Sequence, residues 1–309
     1  MSTAFALEDR PTLNLFGGEG VPSERGITEV SDDFGDYLRV ERNSSKHTIT
    51  AYRKDIQDLV DFLGNVDVDQ ITMGDLRAFL KALHQRKYCA ATIGRKLAAL
   101  RSFLVFAQRE GLITVNHARA LRSPKIEERL PHHLDEGSME VLLEAPGSDS
   151  KGIRDRAILE TLYSAGLRIS ELVRLDVAHV DLAAKTVRVI GKGNRERLAP
   201  LGSQAVEALK VCVNGRTEGP LFLNYQGTRL SARGIRKILA RYLKDAGLDP
   251  KTTPHTLRHS FATHMLDGGA DIRMVQEMLG HKSITSTQIY THVSKGRQRT
   301  VHEQCHPRA

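Results

Sequence analysis

Cysteine is scarce in this 309-residue sequence: Cys89, Cys212 and Cys305 are odd in number, far apart and without a CxxC pair. That excludes a disulfide framework and a zinc ribbon. No run of about 18 or more apolar residues is present to span a bilayer, so a membrane protein is not expected. The opening MSTAFALEDRPTLNLF carries Glu8, Asp9 and Arg10 where a signal peptide needs an unbroken apolar stretch, which predicts a cytoplasmic chain. A fixed-period repeat and a low-complexity tract are likewise missing.

What remains is an ordinary globular composition, 40% hydrophobic and 27% charged, on a chain longer than one core usually organises. Two domains are expected. The 45 basic and 37 acidic side chains leave +8, which favours polyanionic partners without naming one. The distribution says more. Between Gln85 and Lys125 stand Arg86, Lys87, Arg95, Lys96, Arg101, Arg109, Arg119, Arg122 and Lys125 against the single acid Glu110. A solvated basic face is the bland explanation, and a nucleic-acid footprint the better one.

Residues 1–24, with Pro11, Gly17, Gly18, Gly20 and Pro22 and no sustained period, read as a flexible leader. In TITAYRKDIQDLVDFL the apolar residues Ile49, Tyr52, Ile56, Leu59, Val60 and Leu63 recur three or four apart and predict a helix. Further helices are predicted over Gly74 to His84 and Thr92 to Arg109, with a weaker one over Asp32 to Arg42. On the Thr92 helix, 100° steps put Arg95 and Arg109 opposite the apolar stripe and Lys96 and Arg101 on its flanks. The segment RSPKIEERLPHHLDEG, with Pro124 and Pro131 and no period, reads as a linker. The expected division is therefore 1–24, 25–126 and 127–309. The last part is expected to be mainly helical, with one exception: Val187 and Val189 before GKGN and Leu198 after it predict two antiparallel strands joined by a glycine-bearing turn.

Four stretches of the second domain gather unusual polar side chains. In SAGLRISEL, Gly166 ends one helix and Ile169 to Leu175 make the next, with Arg168 at the junction. GKGNRER holds Lys192 in its turn. In TPHTLRHSFATHML, Thr253 caps a helix, Pro254 suits its first position, and His255 and Arg258 share a face. In LGHKSITSTQIYTH, Gly280 closes a helix, His281 follows, and Tyr290 lies beyond. Singly, each has a dull alternative as an ion-pair partner, a solvated lysine or a half-buried tyrosine. Zinc binding by His255, His259 and His264 is disfavoured because the metalloprotease pattern needs Glu where Thr256 stands, and no metal is expected. GKGN also lacks the ending and glycine spacing of a nucleotide phosphate loop, so no ATP and no other cofactor is expected.

Together, AGLRISEL, GKGNRERLAPL, HTLRHSFATHML and LGHKSITSTQIYTH resemble the signature segments of tyrosine site-specific recombinases, within the phage-integrase family and nearest its Xer branch. RNSSKHTITAYRKDIQDLVDFL is similar to the family's DNA-clamping helices, and the ending HPRA to Xer termini. The resemblance implies a mainly α fold with a small antiparallel β-sheet: an N-terminal four-helix DNA-clamping domain and a C-terminal tyrosine-recombinase catalytic domain. It also implies that Arg168, Lys192, His255, Arg258 and His281 surround a scissile phosphate, with Tyr290 as nucleophile and Glu171 in support. Arg86, Lys87, Arg95, Lys96 and Arg101 are the expected contacts to double-stranded DNA. The implied partners are four protomers on two recombination sites, copies of this chain or a second Xer-type recombinase, with a DNA translocase as activator. The last helix, SKGRQRTVHEQC, would dock on a neighbour, although Val293 and Val301 are its few apolar residues and a cis-packed helix fits them as well. The implied function is DNA strand exchange through a 3′-phosphotyrosyl intermediate, resolving chromosome dimers at cell division. The rivals are a phage or mobile-element integrase, a type IB topoisomerase-like relaxase and a DNA-binding regulator without chemistry.

Overall fold

A computed structural model of the chain describes residues 25–124, 133–191, 196–280 and 292–309, side chains of 292–296 excepted. The leader, half of the linker segment and three of the expected site residues, Lys192, His281 and Tyr290, lie outside the described residues. The chain divides into two compact units, residues 1–128 and 129–309, each with its own apolar core.

Helices α1 (Ile27–Val40), α2 (Lys46–Leu63), α3 (Met73–Gln85) and α4 (Ala90–Arg109) build the first unit. Caps set their starts: Ser45 accepts from the Thr48 N–H, and Thr72 and Asp75 form a reciprocal capping box. Ile56 and Leu59 of α2 bury against Leu76, Phe79 and Leu83 of α3 and Ile93, Leu97, Leu100 and Phe103 of α4. The α1 helix begins at Ile27, five residues before the predicted Asp32, because Ile27, Val30, Phe34 and Leu38 form one fully buried stripe. The acids between them mask that stripe in the sequence.

The second unit runs through α5 (Glu136–Glu144), α6 (Ser150–Ser164) and the short α7 (Ile169–Val173) into a sheet. After the sheet come α8 (Ser203–Val213), α9 (Ala232–Asp245), α10 (Pro254–Asp267), α11 (Ile272–Leu279) and α12 (His292–Cys305). The sheet has three antiparallel strands, β1 (Val180–Asp181), β2 (Thr186–Ile190) and β3 (Glu196–Pro200), in that order. One point differs from expectation. The additional strand β1 pairs through Val180 with Val187. On β3 the inward positions, opposite Val187 and Val189, are Ala199 and Arg197, so the register turns Leu198 to the same side as exposed Arg188.

Helix α12 packs on its own unit in this chain. Counting apolar residues undervalued the C-terminal segment, because beside Val301 and Cys305 it also packs His302, His306 and Arg308 inward. The His302 ring donates from Nε2 to the Ser164 carbonyl at 2.8 Å, and His302 and His306 stack at 4.6 Å between centroids. His306 also packs on Tyr163 and Phe261, and the Tyr163 hydroxyl hydrogen-bonds His264 Nδ1 at 2.7 Å. Past the helix, Arg308 donates to buried Glu160 at 2.7 Å, and Ser203 donates to the Ala309 carbonyl at 2.6 Å.

Burial holds His264, His302 and His306 below the ordinary imidazole value; the surrounding charges act in both directions. Arg308 and the neighbouring histidines oppose protonation, whereas Glu136 and Asp267 near His264 and Glu303 near His302 favour it only partly. Because the folded values are depressed, the neutral forms are matched to folding above about pH 6.5, and stability is lost as pH falls below that value. Thermal unfolding of the full chain between about pH 7.5 and 5.5 should therefore fall less steeply in His306→Phe than in wild type. Parallel slopes would show that His306 does not titrate with folding.

Candidate active site and nucleic-acid interface

Helix α6 ends where Gly166 takes a left-handed conformation, φ +56°, packed so closely that a Cβ would meet Phe261 at 2.6 Å. The chain then reverses through Leu167 and places Arg168 ahead of α7, while Glu171, one turn on, reaches back to the Arg168 N–H at 2.9 Å. Glu171 is 5% exposed. Its Oε1 accepts from Arg168 Nη1 at 2.9 Å, and its Oε2 accepts from Arg197 Nη2 at 3.1 Å and lies 3.8 Å from Arg258 Nη1. One carboxylate therefore gathers three guanidinium groups from α7, β3 and α10.

Arg258 arrives from α10, which Thr253 caps and Pro254 opens. Its guanidinium donates to the Gly166 carbonyl at 2.6 Å and the Leu279 carbonyl at 2.5 Å, so it ties the α6–α7 turn to the end of α11. Burial, then the Arg168 charge, lowers its pKa to about 10, still well above neutrality. Arg168 is the accessible member, its side chain 42% exposed. His255 is exposed on the first turn of α10, one turn before Arg258. Thus Arg168, Glu171 and Arg258 converge, and His255 is carried on the helix that supplies Arg258. Among the described residues no group of histidine, cysteine and carboxylate side chains is arranged to hold a metal ion.

The basic segment of the first unit is less free than its charge implies. Arg86 and Lys87 are exposed in the α3–α4 turn. Lys96 is not on a solvated flank. It is 4% exposed, and its ammonium bridges Asp55 and Asp58 beneath the Tyr88 ring. Arg95 pairs with the same buried Asp55, Arg109 with Glu41, and Arg101 donates to the carbonyls of Ala118 and Leu121 and to Ser123. The physical reason is Asp55: it sits at a buried position of α2, and an isolated buried carboxylate must be paired.

Sequence reasoning passed over two basic features. Arg197 lies within GKGNRER, where the sequence pattern assigned it no role. Helix α9, ARGIRKILARYLKD, buries Ile235, Ile238, Leu239, Tyr242 and Leu243 and exposes Arg233, Arg236, Lys237, Arg241 and Lys244. Its five cations on the face opposite a regular apolar stripe were readable from the 3.6 period.

The profile of the Phage integrase family matches residues 132–297, and that of the Phage integrase N-terminal SAM-like domain matches residues 32–111. The chain is 46% identical over 300 residues to a tyrosine recombinase XerC of Pelotomaculum thermopropionicum, spanning 90% of this chain and 98% of that protein. It is 39% identical over 295 residues to a tyrosine recombinase XerD of Staphylococcus epidermidis, spanning 92% and 100%. The fold is similar to that of a lambda integrase tetramer bound to a Holliday junction, with a TM-score of 0.70 at 22% identity over 86% of this chain and 80% of that one. Two matching domains in this order define the class, and the chain belongs to the phage integrase family of tyrosine recombinases. Its place within that family is the Xer branch.

The pairing of Lys96 separates a folding role from phosphate binding. Lys96→Ala should destabilise the full chain by about 3 kcal/mol in urea unfolding, because Asp55 keeps only Arg95 as partner. The dependence of DNA affinity on salt should stay as in wild type, whereas removing a cation that neutralises a phosphate would flatten the log–log slope by about 0.9. A flattened slope with unchanged stability would reverse the assignment.

Proposed function

We propose that the chain performs site-specific DNA strand exchange, with Tyr290 attacking a scissile phosphate that Arg168 and Arg258 neutralise. The observation that carries this reading is the meeting of Arg168 and Arg258, 90 positions apart in the sequence, on the single carboxylate of Glu171. A phosphodiester resists attack because it is anionic, and charge grows on its nonbridging oxygens as the phenolate approaches. Guanidinium forks stay protonated at working pH and offer paired donors matched to those oxygens. Fixing them beforehand removes the reorganisation that solvent would need at the moment of reaction. Glu171 does this without cancelling them, since one negative charge faces three positive ones.

The remaining steps are proton transfers. A phenol with a reference pKa of about 10 must lose its proton as it attacks, and His255, exposed on the first turn of α10, is the proposed acceptor. The leaving 5′ oxygen needs a proton, and Lys192 between β2 and β3 is the proposed donor. His281 is the proposed further donor to a nonbridging oxygen. The phosphodiester to Tyr290 conserves the bond, so attack by another 5′ hydroxyl regenerates Tyr290 and rejoins strands without ATP.

The exposed cations of the α3–α4 turn and of α9 are proposed to hold the duplex backbone from the two units. Resolution of chromosome dimers in the cytoplasm, by four protomers of this chain or of this chain and a second Xer-type recombinase, is the biological setting the Xer relatives favour. Activation by a DNA translocase belongs to that same setting. Among the described residues no helix is long and apolar enough to cross a membrane.

The test is Tyr290→Phe on a nicked duplex carrying the sequence that the full chain enriches from a random pool. Binding should persist and covalent protein–DNA product should vanish. Covalent product in the variant would eliminate Tyr290 as nucleophile. Relaxation of supercoiled DNA lacking that sequence would favour the topoisomerase-like alternative.

A further inference from the structure

Arg197 is the second residue of β3, facing inward opposite Val189, with its side chain 16% exposed. It reaches two other elements at once. Nη2 donates to Glu171 Oε2 at 3.1 Å, and Nε donates to the Met278 carbonyl in the last turn of α11 at 3.1 Å. The next carbonyl, Leu279, is taken by Arg258. A helix leaves its final carbonyls without intrahelical partners. Here two guanidinium groups hold them, side by side, immediately before the left-handed Gly280, φ +67°. A Cβ on Gly280 would come within 3.2 Å of Arg197 Cδ and Nε.

We propose that Arg197 is a positioning residue for strand cleavage: held on the last turn of α11, it fixes the Glu171 carboxylate and through it Arg168. The inference rests on the strand-exchange reading above. Arg197 does not itself contact phosphate, because its guanidinium is buried, with Nη1 enclosed and without a partner among the described residues. Stability alone would be served as well by an apolar side chain of similar length, since a buried ion with an unmet donor gains little over one. What an apolar chain cannot do is hold a carboxylate on α7 and a carbonyl on α11 at one fixed separation. A lysine, a flexible point ammonium without the planar fork, cannot fix the two in that geometry.

The experiment is single-turnover cleavage of the same nicked, pool-selected duplex by the full chain carrying Arg197→Met, Arg197→Lys, Glu171→Gln or Arg197→Met with Glu171→Gln. Arg197→Met should lower the cleavage rate roughly 10- to 100-fold with DNA affinity held within about threefold, and Arg197→Lys should fall between it and wild type. In the Glu171→Gln background, Arg197→Met should add less than about twofold, because both changes release the same guanidinium. Cleavage by Arg197→Met within about twofold of wild type overturns the proposal, and so do penalties that multiply in the double variant. If Arg197→Met does not fold, Arg197→Lys decides by the same criteria. Failure of wild type to form any covalent product removes the underlying reading, a result distinct from an unaffected Arg197 variant.

Discussion

The second unit is organised around one electrostatic arrangement: a single buried carboxylate, Glu171, serving three guanidinium groups. The imbalance is its working property. A carboxylate matched one-to-one would neutralise its partner and leave nothing for a substrate. Three cations on one anion retain a local positive excess, and burial of Arg258 and Arg197 keeps that excess aimed rather than solvated. In the proposed reaction the scissile phosphate completes that field. Gly166 and Gly280 are the backbone conditions for it, each left-handed where the chain must turn sharply against a packed neighbour.

The histidine layer beneath α12 lies at the other end of the same scaffold. His302 holds the Ser164 carbonyl, two residues before Gly166, and Gly166 in turn offers its carbonyl to Arg258. The C-terminal segment and the arginine cluster are therefore joined through one short turn of backbone.

Much of this was legible from sequence, for identifiable reasons. Helix α2 declared itself because Ile49, Ile56, Leu59 and Leu63 keep a 3.6 period, and the Thr253–Pro254 start of α10 is written in local capping chemistry. Arg168, Glu171 and Arg258 were found through motif resemblance, and their convergence could only be seen in three dimensions. Lys96 was misread because helical angles placed it on a flank, and nothing local reveals that Asp55, 41 positions earlier, lies buried against it. Arg197 was hidden by register: as a strand residue it could face either side, and only the pairing of β2 with β3 turned it inward.

The central claim is that Arg168 and Arg258 act by neutralising charge on the nonbridging oxygens. Its most direct measurement is single-turnover cleavage of a duplex whose scissile phosphate is replaced by an uncharged methylphosphonate. On ordinary phosphate, Arg168→Ala should lose roughly 10²- to 10³-fold in rate. On methylphosphonate the variant should approach wild type, because the charge it neutralises is gone. An equal deficit on both substrates would contradict the account and assign Arg168 some other work.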